Sequence, residues 1–279
     1  MSFLDDIHAK QTRYQDAMIA TFRSHLQEII QRATAHVTAK LADKLSITDG
    51  VIDQTAGNIK VLRNANNLFM QEINDAGYTR LVNAFTNEFP GQLPFLQDTI
   101  AYLGEKVKEK WPTLKFKPDD LQVFSAVKLN AVSSLETVME AAAGSAMTRG
   151  MFSVGGLKFA DLVETLADKL AQSVPRAVTL ADTSMSVFYR TMADRAYQAI
   201  QEGQPEAREL KFIYQNPVDA ITRDFCMDLM AAGDSYTRDE IDEMDNGQMD
   251  SVWLTAGGWN CRGMWILDVS EWEEKAKAA

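Results

Sequence analysis

Over the first 210 positions the apolar residues return every three or four residues, and that period admits little but amphipathic helix. In MIATFRSHLQEII, Met18, Phe22, Leu26, Ile29 and Ile30 form one stripe. Tyr78, Leu81, Val82, Phe85 and Phe89 form another. FPGQLP interrupts the period with Pro90, Gly91 and Pro94, and Leu96, Ile100, Leu103 and Val107 resume it. Pro112 and Pro118 bracket a loop in KWPTLKFKPDD, after which DLQVFSAVKLNAVSSLETVMEAAA is again helical, with Asp120 as its expected cap. The glycines at 144, 150, 155 and 156 read as a hinge and as the boundary between two domains. Two helices are expected beyond it: KFADLVETLADKLAQSV, and a second that Pro175 opens and Gly203 and Pro205 close.

The pattern then changes. LKFIYQ, 210–215, is rich in aromatic and β-branched residues and predicts a strand. DAITRDFCMDLMAAG predicts a helix with Asp219 as N-cap and Gly233 at its end. Thr237 and Glu240 have capping-box spacing. SVWLTAGG and MWILDV read as two further short strands. The expected fold class is therefore mainly α: a long helical N-terminal region, 1–143, followed by a small α+β C-terminal module within 144–270 that carries a short antiparallel sheet, and an acidic, polar tail, 271–279.

Charge and composition exclude several functions. Formal net charge is −11, and from Asp219 onward fourteen acidic residues face five basic ones, a net of −9 that leaves −2 for the first 218 residues. Such a chain repels phosphate, so broad nucleic-acid binding is not expected. Its acidic end suits solubility, or a basic partner surface. MSFLDDIHAK lacks the charged and apolar regions of a secretion signal. No run approaches the roughly 18 apolar residues of a membrane span, so membrane insertion is not expected either. Two cysteines against thirteen methionines do not make a disulfide scaffold.

Those two cysteines are the sharpest chemical question. The histidines, His8, His25 and His36, all lie near the N-terminus, so a Cys–His pair requires the first helix to fold back over the last module. Arg223 and Arg262 could lower a thiol pKa. A structural zinc ion takes four ligands, of which Cys226 and Cys261 supply two. They are read instead as two thiols, at least one buried, with a disulfide open to them if they meet in space. DEIDEMDNGQMD fails as a calcium loop: aligned on Gly247, Met244 and Trp253 fall where carboxylates are needed. No phosphate loop, dinucleotide fingerprint, nucleophile elbow or zinc-protease helix is present, and no cofactor, metal site or catalytic residue is assigned.

GGWNCRGMW, 257–265, reads better as a structural clasp. Gly257 and Gly258 allow positive φ in a tight connection between strands, Asn260 bridges backbone groups, and Arg262 offers a planar fork to Asp219 or Asp224. The tryptophans add apolar mass.

Two motifs then stand in series: Asp219-x-x-Thr222-Arg223-x-x-Cys226, and Gly257-Gly258-x-Asn260-Cys261-Arg262. With the acidic helix between them, and with PRAVTLADTSMSVFYRTMADRAYQ and LKFIYQ before them, the order resembles the C-terminal domain of the phage Mu F-like minor head proteins, the head morphogenesis proteins of tailed phages. The resemblance covers roughly residues 145–270. It departs at Gly263, where family members commonly carry histidine, which weakens any metal or catalytic role there. The resemblance implies a structural protein of the virion head, assembled in the host cytoplasm, that associates with portal and inner capsid and acts in assembly and in DNA packaging or ejection. Portal or major capsid protein is the implied partner, and self-association through the N-terminal helices is a further expectation. Two other readings stand beside it: a virion-carried cysteine-dependent enzyme or effector, and a helical ejection protein whose N-terminal segments meet a membrane.

Overall fold

The computed structural model describes residues 3–109, 111, 118–151, 157–203 and 209–278. Pro112, Gly155, Gly156 and Pro205 lie outside them. The chain is mainly helical, 73% helix, with a long N-terminal helical region and short antiparallel strands. In order, it runs α1 (Phe3–Lys44), β1 (Ile47–Thr48), β2 (Val51–Ile52), α2 (Ala56–Asp75), α3 (Tyr78–Asn87), a 3-10 turn at Phe89–Gln92, α4 (Leu93–Lys106) and α5 (Pro118–Met151). Then come β3 (Leu157–Lys158), α6 (Phe159–Glu202), β4 (Lys211–Gln215), α7 (Asp224–Ala232), β5 (Ser235–Thr237), α8 (Arg238–Asp242), α9 (Val252–Thr255), β6 (Met264–Leu267) and α10 (Ser270–Ala278).

The chain divides into two compact units, neither continuous in sequence. Unit 2 comprises Met18–Asn87 and Asn130–Ala181. Its core follows the expected stripes: Phe22 packs on Phe85 with ring centroids 4.8 Å apart, and Leu26, Val37, Phe69 and Leu135 are fully buried. Glu72 is buried as well; Lys40 pairs with its carboxylate, and His36 Nδ1 lies 3.4 Å from it. A hairpin not among the expected elements joins β1 to β2, and β3 adds to it. Its two-residue loop is Asp49-Gly50, with φ of 51° and 77°. Both central residues sit at positive φ, as a type I′ turn requires.

Unit 1 comprises Met1–Ala17, Glu88–Leu129 and Asp182–Ala279. Its sheet has the order β5-β4-β6, antiparallel throughout, with Phe212 opposite Tyr236 and Leu267, and Gln215 opposite Met264. Strand β4 alternates as expected: Phe212 and Tyr214 point inward, Lys211 and Ile213 outward. Phe212 meets Tyr197 and Trp253, and Tyr214 meets Trp265, at centroid distances of 5.2, 4.6 and 4.9 Å. A largely buried amide ladder ties α1 to α6. Gln11 donates to Gln92 and Gln15, Gln15 donates to the Asp182 carboxylate and to Ser186, and Gln92 donates to the Met185 carbonyl.

Several local expectations change. Pro175 does not open a helix but lies inside α6. The apolar face runs straight through it, from Leu166 and Leu170 past Val174 to Ala177, Ala181 and Met185, all buried. Pro175 itself faces outward, so the carbonyl that lacks an N–H partner stays near water. α5 starts at Pro118, ahead of the expected Asp120 cap, and continues through Gly144 and Gly150. SVWLTAGG is not a strand: Val252–Thr255 is a single helical turn, flanked by Ser251 and Ala256 at φ of 54° and 50°. A short apolar run does not separate the two states by period alone. α7 begins at Asp224 rather than behind Asp219, with Arg223 at its N-cap position. Gly233 ends it in the left-handed conformation, and Thr237 with Glu240 forms the expected capping box.

Candidate functional site

The two motifs meet inside unit 1. β4 aims the Tyr214 side chain inward, and its hydroxyl lies 3.2 Å from the sulfurs of both Cys226 and Cys261, donating to the former. The sulfurs are 3.9 Å apart, and both cysteines are buried and free. The glycines around them are set by close approach. A Cβ on Gly257 would stand 2.3 Å from Cys226 Sγ, and one on Gly263 would stand 1.9 Å from the Tyr214 hydroxyl. Gly257 is not at positive φ, contrary to expectation; Gly258 is, at 91°, and so is Asn260, at 56°. The segment connects the α9 turn to β6 rather than two strands.

Three arginines hold this segment. Arg190, on α6 and buried, is the central one. Its Nε and Nη2 donate to the Gly263 carbonyl at 2.9 and 2.7 Å, Nη2 also to the Cys261 carbonyl at 2.6 Å, and Nη1 to the Leu254 carbonyl at 3.1 Å. Arg223 donates to the carbonyls of Gly257 and Trp259 at 2.8 and 2.5 Å. Arg262 reaches Asp219 at 2.5 Å, as expected, but this pair is the outermost, with side chains 20% and 40% exposed. Asp219 and Thr222 fold a turn ahead of α7: the Asp219 N–H donates to the Thr222 hydroxyl, which in turn donates to the Asp219 carboxylate. Asn260 is fixed by its backbone N–H, which donates to the Thr183 hydroxyl at 3.1 Å. Of the residues of the expected clasp, Gly257, Gly258, Asn260, Cys261 and Arg262 form the loop, Asp219, Arg223 and Cys226 contact it, and Thr222 bonds to Asp219 beside it.

The N-terminal helix does fold back over this module. His8 lies 3.0 Å from the Arg262 carbonyl. A carbonyl only accepts, so the Nε2 of His8 carries the proton. Its partner is thus backbone, not a thiol. Burial holds the His8 pKa below its ordinary 6.5, and the charges of Arg190 and Arg262 act in the same direction. The Arg262 hydrogen bond holds the Asp219 carboxyl below its usual range. Burial raises that of Asp182. The two thiols titrate as a pair. The Cys226 S–H, the nearby Arg190 charge and the Gly263 N–H favour a thiolate on Cys261 and lower its pKa. Sharing a proton with Cys261, together with burial, raises that of Cys226.

Arg190 and Tyr214 are the residues that sequence reasoning passes over. Tyr214 is signalled by the alternation of LKFIYQ. Arg190 carries no such signal: Thr183, Ser186, Ala193 and Tyr197 share its face at helical spacing, but that this face is buried is seen only in the fold. Among the described residues, no group of three or more histidine, cysteine or acidic side chains is placed to hold a metal ion. No described helix is long and apolar enough to cross a membrane. No family model, curated protein or solved structure matches the chain.

Proposed function

We propose that the chain is a structural minor head protein of a tailed phage, without enzymatic activity. It is made in the host cytoplasm and carried in the virion head, where it docks on portal or major capsid protein and acts in head assembly and in DNA packaging or ejection. One observation carries the reading. The two motif halves that bear the resemblance converge on a single loop, and their cations are spent on backbone carbonyls and a surface carboxylate rather than aimed at a substrate. Beside the loop, Val218, Ile221, Met227 and Trp259 are exposed apolar side chains on an acidic module, which suits docking to an apolar surface with a basic rim. The N-terminal helices are the proposed self-association element.

The test is co-expression with portal and major capsid protein, followed by sedimentation of assembled heads and a mass-spectrometric inventory of purified virions. The protein is expected to travel with heads and to be found in virions. A lone monomer that is absent from virions and from portal-containing fractions would overturn the reading.

The cysteine-dependent enzyme remains a second reading, favoured by the lowered pKa of Cys261. It predicts fast alkylation of that thiol in the folded protein. The hydrogen bonds of both sulfurs go to each other, to Tyr214 and to the Gly263 N–H, and none supplies a base.

A further inference from the structure

Unit 1 buries two thiols against each other, and the docking role makes no use of them. Their sulfurs are at van der Waals contact, 3.9 Å apart, and one hydroxyl bridges both. Gly257 keeps the space beside them open, since any side chain there would strike Cys226 Sγ. Elsewhere in the unit, the recess beside Arg238 and Trp253 offers less. Its arginine is already paired with Asp194 and stacked over the tryptophan.

We propose that Cys226 and Cys261 are a reversible cross-linking site, which a water-sized peroxide oxidises to a disulfide joining α7 to the 257–263 loop. A disulfide needs its sulfurs about 2 Å apart. Bond formation requires the two side chains to turn toward each other from 3.9 Å. The loop is already anchored through Arg190 and Arg223 by carbonyls that the reaction does not touch.

Cys261 is the attacking sulfur, because the Cys226 S–H, the Gly263 N–H and the Arg190 charge all stabilise its thiolate. It gives up its proton and attacks one peroxide oxygen. The O–O bond breaks, leaving a sulfenic acid and a hydroxide that takes up that proton as water. The Cys226 sulfur then attacks the sulfenic sulfur. The S–S bond forms, the S–O bond breaks, and the oxygen leaves as a second water with the Cys226 proton. Two thiols lose two electrons and one peroxide gains them. Both cysteines are buried, so the proposal requires an oxidant as small as hydrogen peroxide rather than a bulky disulfide. None of this depends on what the protein docks on.

The experiment treats reduced, full-length protein with hydrogen peroxide in slight molar excess, unfolds it in N-ethylmaleimide, digests it and maps the peptides by mass. Both alkylatable thiols are expected to disappear together, and peptides holding Cys226 and Cys261 to appear joined until dithiothreitol separates them. Oxidation that stops at sulfinic or sulfonic acid with no joined peptides would overturn the proposal. So would survival of both thiols under an exposure that fully oxidises glutathione in the same tube. In Cys226→Ser, peroxide treatment followed by unfolding in dimedone is expected to trap a sulfenic acid on Cys261. In Cys261→Ser, the remaining thiol is expected to react roughly tenfold more slowly. The reverse order of reactivity would overturn the assignment of the attacking sulfur. Should either variant fail to fold, the wild-type peptide map decides alone.

Discussion

At the scale of single residues, burial separates the arginines. Arg190 is nearly enclosed, and removing it strands the carbonyls of Cys261, Gly263 and Leu254 away from water. Each such orphan costs about 1–3 kcal/mol. Arg190→Met is therefore expected to lose at least about 3 kcal/mol in urea unfolding followed by tryptophan fluorescence, and Arg190→Lys to recover little of it, because one ammonium cannot replace a fork. Asp219→Ala breaks an ion pair that water already screens and is expected to cost less than about 1 kcal/mol in the same assay. Equal costs would place the clasp at its outer pair instead. His8 adds a pH dependence. Its folded pKa lies below the unfolded 6.5, so as pH falls the unfolded chain takes the proton first. Its contribution is thus complete above pH 6.5 and declines as pH drops from there toward the folded value. The wild-type urea midpoint should fall over that window more steeply than the midpoint of His8→Gln. The sequence shows Asp219, Arg223, Cys226 and Arg262 because they stand in a spaced motif. It does not show Arg190 and His8, because each meets the loop only through folded backbone.

At the scale of elements, α6 shows what periodicity conveys and what a single breaker conceals. A proline in a helix interior costs about 3 kcal/mol. Taken alone, that cost argues for two helices at Pro175. The buried face from Leu162 to Ile200 outweighs it, since each large apolar side chain removed from water is worth about 1.5–3 kcal/mol. The proline sits on the exposed face. Pro175→Ala is therefore expected to stabilise the protein by about 1–3 kcal/mol, read as a higher thermal midpoint with unchanged helical circular dichroism. A fall in the midpoint would mean that the proline bends α6 into a shape its core needs. The strands divide by the same logic. β4 is legible because its buried and exposed residues alternate, whereas β6 and Val252–Thr255 are largely apolar runs of four residues each that period cannot tell apart; the second is a helical turn, flanked by the positive φ of Ser251 and Ala256. The β1–β2 turn carries a readable Asp-Gly signal, but its strands have only two residues each, too few to show alternation.

At the scale of the whole molecule, the mainly helical class follows from the repeating stripes, but the grouping of segments into units does not. Composition shifts and glycine clusters mark places along a chain. They do not record which distant segments share a core, and unit 1 gathers three of them. Residues 1–17 contribute Ile7, His8 and the Gln11–Gln15 part of the buried amide ladder, and residues 88–129 contribute Phe89 and Gln92. A fragment beginning at residue 144 retains every residue of the clasp and all of β4 to β6. It nonetheless loses the partners of Met185, Ser186 and the Arg262 carbonyl, and it leaves Phe188 without the Phe89 ring 5.6 Å away. Buried polar groups left unpaired and apolar faces left uncovered destabilise together. Fragment 144–279 is therefore expected to melt without a cooperative transition, to bind a hydrophobic dye and to aggregate, whereas the full chain melts cooperatively. Adding residues 1–129 as a separate chain should restore the transition if the two pieces reassemble the unit. A fragment that melts sharply by itself would show that the clasp and its sheet are self-sufficient, and that the N-terminal segments of unit 1 cover a module already folded.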